Sequence, residues 1–447
     1  MIATRDGQNA YIDAFERFEK KVAAGDPAWL RRLRRDALAR FADLGFPTMR
    51  EEGWRHTNLA PLAEVAFHPA LPGKNGISAG MLGSYLFGGR ESCNLVFING
   101  WYSPGLSTPG GFPSCAYAGS LAAALREKPD KIGEYLASAP GRESNAFVPL
   151  NTAFLSDGGF IFVPDGTRLN RTIHLVYLFA PGASPTAGFP RNLIVVGNGG
   201  EVTVVESYAG PAGGVYFTNA VTDVIAGDHS RVGHYRVQRE SEEAFHVGSL
   251  NIDQAENAVV SSHSISLGGA LTRNTIAATM NGEGGELTLN GLYFGRNRQH
   301  VDNHTSIIHA RPHCSSRELY KGILDDRATG VFTGRIVVRP DAQKTNARQT
   351  NKNLLLSADA LVNSTPQLEI FADDVKCTHG ATIGRLSADA LFYLRSRGID
   401  EPDARSLLTY AFAGDILGML GNKPLQCQLD LVLLAHMSRT EGMGAPS

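Results

Sequence analysis

The spacing of apolar residues changes twice along the chain. Near the start, Tyr11, Phe15 and Phe18 recur at i, i+4 and i+7; after Asp26-Pro27 the stripe resumes with Leu30, Leu33, Ala37, Phe41 and Leu44, then stops at Gly45 and Pro47. This predicts two amphipathic helices, the second with Asp26 as N-cap and Pro27 at its first helical position. The basic run Arg31, Arg32, Arg34 and Arg35 falls behind the apolar stripe. Charges there predict a solvated helix face rather than a nucleic acid patch.

From about residue 90 to about residue 385 the period shortens to that of strands. Runs such as CNLVFING, RTIHLVYLF, EVTVVES and TGRIVVRP alternate with Gly/Asn/Asp turn clusters. A sandwich would be large at that length, whereas a stacked solenoid adds coils without widening its core. No strict hexapeptide or Asp-rich repeat is visible. Helical signals then return. Ser387 caps a segment carrying Leu391 and Leu394 up to Gly398, and Asp400 caps a second with the stripe Ala404, Leu407, Leu408, Ala411 and Leu420. A third begins at Pro424. The chain thus divides into a helical region at 1–90, a β-core at 91–385 and a helical region at 386–447. The end helices either bind partners or cap the open ends of the core.

Composition narrows the function classes. The 447 residues carry 42 Lys+Arg against 44 Asp+Glu, a formal charge of −2, which argues against nucleic acid or an anionic membrane surface as main partner. At 43% apolar and 19% charged, disorder is ruled out for most of the chain. The first residues form neither a secretory nor a transit signal, no run approaches a spanning helix, and the five scattered cysteines read as reduced thiols, so a cytoplasmic protein is expected.

Several chemistries are missing by inspection. There is no GxxxxGK[ST], HExxH or complete GxGxxG, so any use of ATP falls to another chain. Gly76-Ile77-Ser78-Ala79-Gly80 matches a nucleophile elbow formally, but a loop precedes it where that motif needs a strand. His300, His304, His309 and His313 crowd together with Cys314; on a strand, four residues span about 13 Å, too far for one ion. Asp325-Asp326 and Asp373-Asp374 would face opposite sides of a sheet and read as turn residues. Cys377 and His379 remain. At i and i+2 on a strand they face the same side, a thiol and an imidazole presented together with space beside Gly380. Two ligands do not complete a zinc site or an iron–sulfur cluster. Either another subunit completes this site, or the pair is a buried cysteine and a satisfied histidine.

Around these residues the sequence resembles the SufD branch of the SUF iron–sulfur cluster assembly family. The stretch from Ser364 to Leu417 carries the resemblance most densely. His309–Ser316, Glu318–Gly322, Phe332–Gly334, Ala347–Asn351 and Glu52–Leu59 extend it over almost the whole chain. The SufB branch typically has Glu-His-Glu-Ala-Thr where this chain has Cys377-Thr378-His379-Gly380-Ala381-Thr382. The resemblance implies a mainly β fold, a right-handed parallel β-helix between helical ends, and a non-catalytic scaffold role. It implies pairing with a SufB-like subunit through the β-helix ends and with a SufC-like ATPase through the C-terminal helices. A cluster or iron would be held only transiently at the SufB interface, with His379 first and Cys377 second as contributors. No cofactor would be bound stably by this chain alone, and a flavin in the complex is consistent with the family. For the ATPase contact the resemblance points to Leu391–Leu417, especially Tyr393, Arg395, Arg397, Tyr410 and Phe412. Two alternatives stand beside it: a free-standing β-helix enzyme acting on carbohydrate, and a homodimer that binds metal alone.

Overall fold

The computed structural model describes residues 2–22, 25–72, 77, 79–87, 92–138, 145–180 and 184–438. Its centre is a two-sheet parallel solenoid. From Gly159–Val163 onward the chain alternates between an eleven-stranded and a ten-stranded sheet, and each strand pairs in parallel with the strand one coil later. In the larger sheet Phe217, Phe245, Leu271, His300, Thr329 and Leu361 follow one another in register, steps of 26 (271 − 245) to 32 (361 − 329) residues. The mainly β, helix-flanked parallel β-helix expected from the sequence is the fold observed. Three short helices, Leu121–Glu127, Pro129–Ser138 and Phe147–Ala153, interrupt the early strands.

The coils repeat at a corner rather than in a residue motif. Gly166, Gly199, His229, Asn257, Gly284, His313 and Lys344 all have φ between 52° and 70°, one left-handed residue per coil. Backbone N–H groups tie these corners coil to coil: Gly199 to Asp228 O (2.7 Å), His229 to Glu256 O (2.7 Å), Asn257 to Glu283 O (2.8 Å) and Lys344 to Asp374 O (2.7 Å). Asp326, at φ 50°, occupies the opposite corner, and Asp374 pairs with Lys344, so both acidic doublets sit in turns. Inside, apolar columns stack along the axis. Ile194, Val224, Ile252, Ala278, Ile307, Ile336 and Leu368 are successive partners in one sheet. In the other, Val202, Val232, Val260, Leu287, Ser316 and Ala347 lead to Cys377.

Helices sheathe the two outer faces. The N-terminal helices Ile2–Val22 and Ala28–Leu44 bring Tyr11, Phe15, Phe18 and Phe41 into one cluster with Phe217 and Phe245 of the larger sheet and Phe189 beside it. Pro27, not Asp26, is the N-cap; the Asp26 carboxylate instead pairs with Arg34. Arg34 also departs from the solvated-face expectation. It is buried, with Nε and Nη2 donating to Leu155 O at 3.0 and 2.7 Å, while Arg31, Arg32 and Arg35 remain exposed.

At the other end, helices Glu401–Leu417 and Lys423–Ser438 lay Ala413, Ile416, Leu417, Leu425, Leu429 and Leu433 on the outer face of the ten-stranded sheet. They cover a face instead of plugging an end. Ser387 and Asp400 cap their helices as expected, accepting from Ala390 N and Asp403 N. The buried stripe differs from the expected one: Ala404 and Leu420 are in it, but Leu407 and Ala411 are exposed and Thr409, Ala413 and Ile416 take the inner face. No described helix is long and apolar enough to cross a membrane.

Candidate functional site at the open end of the solenoid

With both faces sheathed, the end formed by the last two strands, Leu361–Ile370 and Lys376–Gly384, is left bare. Each is the terminal strand of its sheet. Strands one coil earlier bury their inward residues and expose several outward ones; on these two every residue is partly or fully exposed. Leu361, Ile370, Phe371 and Ile383 are large apolar side chains in solvent there. An edge strand also leaves backbone N–H and C=O groups unpaired. Pro366, which has no N–H to give, sits on such an edge strand, the position in a sheet that tolerates it.

Cys377 and His379 lie on this last strand and share its inward side. Cys377 ends the apolar column and is half-buried against it; burial pushes its thiol up, against the opposing pull of the Ala347 backbone N–H. Burial thus favours the neutral thiol of Cys377 in the chain alone. His379 is exposed, and a side chain on Gly380 would meet nothing within 4 Å. The strand is therefore open both at the exposed imidazole and on the opposite face at Gly380.

Behind His379 is a group that single-residue motif reading misses. Val204, His234, Ser262, Leu289, Glu318, Gln349 and His379 are successive partners along one inward column. Gln349 Nε2 donates to Glu318 Oε2 at 2.7 Å, and both side chains are buried. Gly334 makes room: a Cβ there would stand 2.1 Å from Gln349 Nε2. Burial pushes the Glu318 carboxyl up to about 7, with the Thr305 and then the Gln349 side chain opposing. The quoted segments around Glu318, Gly334 and Gln349 thus converge on the coils behind the Cys377–His379 strand. The signal that finds them is spacing by one coil, 349 − 318 = 31 and 379 − 349 = 30 residues.

The other named residues separate. Tyr393, Arg395 and Arg397 lie on helix Ala388–Ser396 and its C-terminal cap; the helix has no buried residue, and Phe392 beside them is 74% exposed. Arg397 Nη2 donates to Tyr393 Oη (3.1 Å), and Arg395 pairs with Glu401. Tyr410 and Phe412 are half-buried instead. Tyr410 Oη donates to Asp430 Oδ1 (2.7 Å), and Phe412 packs under Lys321 Nζ at 4.4 Å. The histidine cluster is also dispersed. His300 bonds Thr57 Oγ1 (2.9 Å), His304 pairs with Asp302, His309 turns inward to Ser316, and His313 forms a corner. Among the described residues no group of three or more His, Cys, Asp or Glu is placed to hold a metal ion. All five cysteines are free. Gly76 and Ser78 of the elbow-like sequence lie outside the described residues.

The segment Glu52–Leu59 has a structural task. Thr57 Oγ1 donates to the buried Asp302 carboxylate, Arg273 pairs with the same carboxylate, and the Arg273 guanidinium stacks 3.7 Å over the Trp54 ring. The motif clamps the N-terminal region to the β-core.

The chain is thus a helix-flanked parallel β-helix with a bare end that carries a Cys/His pair. The family comparison agrees with this class. The model for the SUF system FeS cluster assembly SufBD core domain matches residues 179–412, and that for the SufBD protein N-terminal region matches residues 5–175. The chain is 36% identical to an iron–sulfur cluster assembly SufBD family protein of Synechocystis sp., over 91% of each chain. It is 32% identical to the iron–sulfur cluster assembly protein SufD of Escherichia coli, over 86% of this chain and 88% of that one. To the chloroplastic protein ABCI7 of Arabidopsis thaliana it is 29% identical, over 89% and 84%. The chain belongs to the SufBD family of the SUF iron–sulfur cluster assembly system, with the SufD protein among its relatives.

Proposed function

We propose that this chain is a non-catalytic cytoplasmic scaffold subunit whose bare solenoid end pairs with a SufB-like subunit, enclosing a site where an iron–sulfur cluster is built as cargo. The observation that carries the reading is the abrupt change at the last coil. Buried columns run the length of the core and end, uncapped, at Cys377 and His379, ringed by Leu361, Ile370, Phe371 and Ile383. A second solenoid set against this end would extend both sheets and cover that rim. His379 offers an accessible imidazole; Cys377, with its raised thiol, becomes a ligand only if iron or a positive group from the partner favours the thiolate. The remaining ligands come from the partner.

The exposed helix Ala388–Ser396, with Phe392, Tyr393, Arg395 and Arg397, is the contact for a SufC-like ATPase, and Tyr410 and Phe412 serve by fixing the neighbouring helix. ATP-driven movement of that helical platform then reaches the β-core through its packed helix. The carbohydrate-enzyme alternative needs a pair of acids facing the same side of neighbouring coils, and activity without partners. Among the described residues no strand register sets one carboxylate beside another.

The test is His379→Ala in the co-expressed complex. Folding and subunit composition should be unchanged, with iron and acid-labile sulfide per complex strongly reduced. Normal cluster content in that variant removes His379 from the mechanism.

A further inference from the structure

Gln349 stands one strand behind His379 in the same inward column, and adjacent strands are about 4.8 Å apart. Its amide is fixed on one side only. Nε2 is committed to the Glu318 carboxylate, and Gly334 leaves just the room this amide occupies. Oε1 is shielded from solvent and has no hydrogen-bond partner among the described residues. A buried carbonyl oxygen without a donor costs about 1–3 kcal/mol. The nearest position in the column that carries an N–H donor on its side chain is His379. A metal-binding histidine commonly gives its second ring N–H to a carbonyl or carboxylate, which sets its tautomer and aim.

We infer that Gln349, held by Glu318, is the positioning residue for His379: when a partner covers the open end, Gln349 Oε1 accepts the imidazole N–H and leaves the other ring nitrogen aimed outward at the iron or cluster. This rests on the reading of His379 given above. Glu318 acts at one remove, by fixing which side of the amide is free. Gly334 excludes any side chain that would displace it.

The experiment measures cluster iron per complex, subunit composition and thermal midpoint for the co-expressed complex. Gln349→Leu and Glu318→Leu should each lower cluster iron about tenfold or more, the usual cost of losing a partner behind a metal-binding histidine. Glu318→Gln keeps the volume but can turn its own N–H to the Gln349 oxygen, so it no longer fixes which side of that amide is free; it should lower cluster iron with folding and subunit composition unchanged, a loss that a role in packing alone does not predict. If the leucine variants do not fold, the exchanged pair Glu318→Gln with Gln349→Glu retains the buried hydrogen bond and an oxygen for His379, and should restore cluster content. Wild-type cluster iron in folded Gln349→Leu overturns the inference, as does an exchanged pair that folds but stays empty. A His379→Ala complex with full cluster content overturns the underlying site reading instead, so the two failures are distinct.

Discussion

Lys321 should be the bolt that holds the C-terminal helical platform to the β-core. It projects from the outer face of strand Ser315–Leu324 and its side chain is 2% exposed. Its ammonium donates to Phe412 O at 2.8 Å, pairs with Asp415 and lies 4.4 Å over the Phe412 ring. In Lys321→Met the stem keeps its packing and the charge is lost. The buried charge-assisted hydrogen bond is worth about 1.5–3 kcal/mol. The ring contact adds about 1 kcal/mol. Asp415 is 60% exposed, so that pair contributes little in water, at most about 1 kcal/mol. Against these stands the relief of no longer desolvating an ammonium, which leaves a net loss of about 2 kcal/mol. At about 1.4 kcal/mol per tenfold, helix Glu401–Leu417 should open about 30-fold more often. Hydrogen exchange of its amides, read by mass spectrometry, measures this directly. Exchange within threefold of wild type, or equal acceleration across the central strands 245–295, would refute the assignment.

Other perturbations have equally definite outcomes. Burial pushes the Asp302 carboxyl up, but Arg273, His304 and Thr57 outweigh it and hold it well below the usual carboxylate range. A depressed carboxylate stabilises above its unfolded value of about 3.9 and loses that contribution as pH falls through the folded value. Proteolysis of segment 46–70 should therefore stay slow at pH 4 and rise only in stronger acid; in Asp302→Ala, which leaves Arg273 buried without its partner at a cost of about 3–5 kcal/mol, it should be fast already at neutral pH. Glu318 has the opposite sign. Raised to about 7, it favours the fold below its unfolded value of about 4.3, and that contribution is lost as pH rises through 7. The thermal midpoint should thus decline between pH 5 and pH 8 more in wild type than in Glu318→Gln, and parallel profiles would place Glu318 in a different environment. Gly334→Ala sets a methyl 2.1 Å from the Gln349 amide and should cost about 1–3 kcal/mol by chemical denaturation, whereas Gly380→Ala, with open space around it, should cost little.

The sequence carried the ends of the molecule clearly and its middle only in outline. Tyr11, Phe15, Phe18 and Phe41 announced their helices because a helix packed by one stripe repeats every turn, and Ser387 and Asp400 announced theirs because capping is local chemistry. Arg34 departs because a helix touching neighbours on more than one side has no simple outer face, whereas Leu407 departs because the face that packs on the sheet is set by Thr409, Ala413 and Ile416 and leaves Leu407 half in solvent. The solenoid showed as strands but not as a repeat. Its period resides in left-handed corners, where Gly199, His229, Asn257, His313 and Lys344 do the same task with different side chains. Cys377 and His379 could be paired because strand alternation is also local. Gln349 and Glu318 could not, since joining them to His379 requires the register between coils, which turn lengths varying by several residues conceal. The segment around Trp54 and Thr57 stood out in the sequence, but its clamp on Arg273 and Asp302 depends on contacts more than two hundred residues apart.

The proposed function requires a partner at both the bare solenoid end and the exposed C-terminal helix. Native mass spectrometry of the tagged chain, co-expressed with the neighbouring genes of its source, tests it most directly. A complex of one copy of this chain, one SufB-like chain and two ATPase chains, one on each scaffold subunit, is expected. Recovery of this chain alone, or as a homodimer with no ATPase bound, would contradict it.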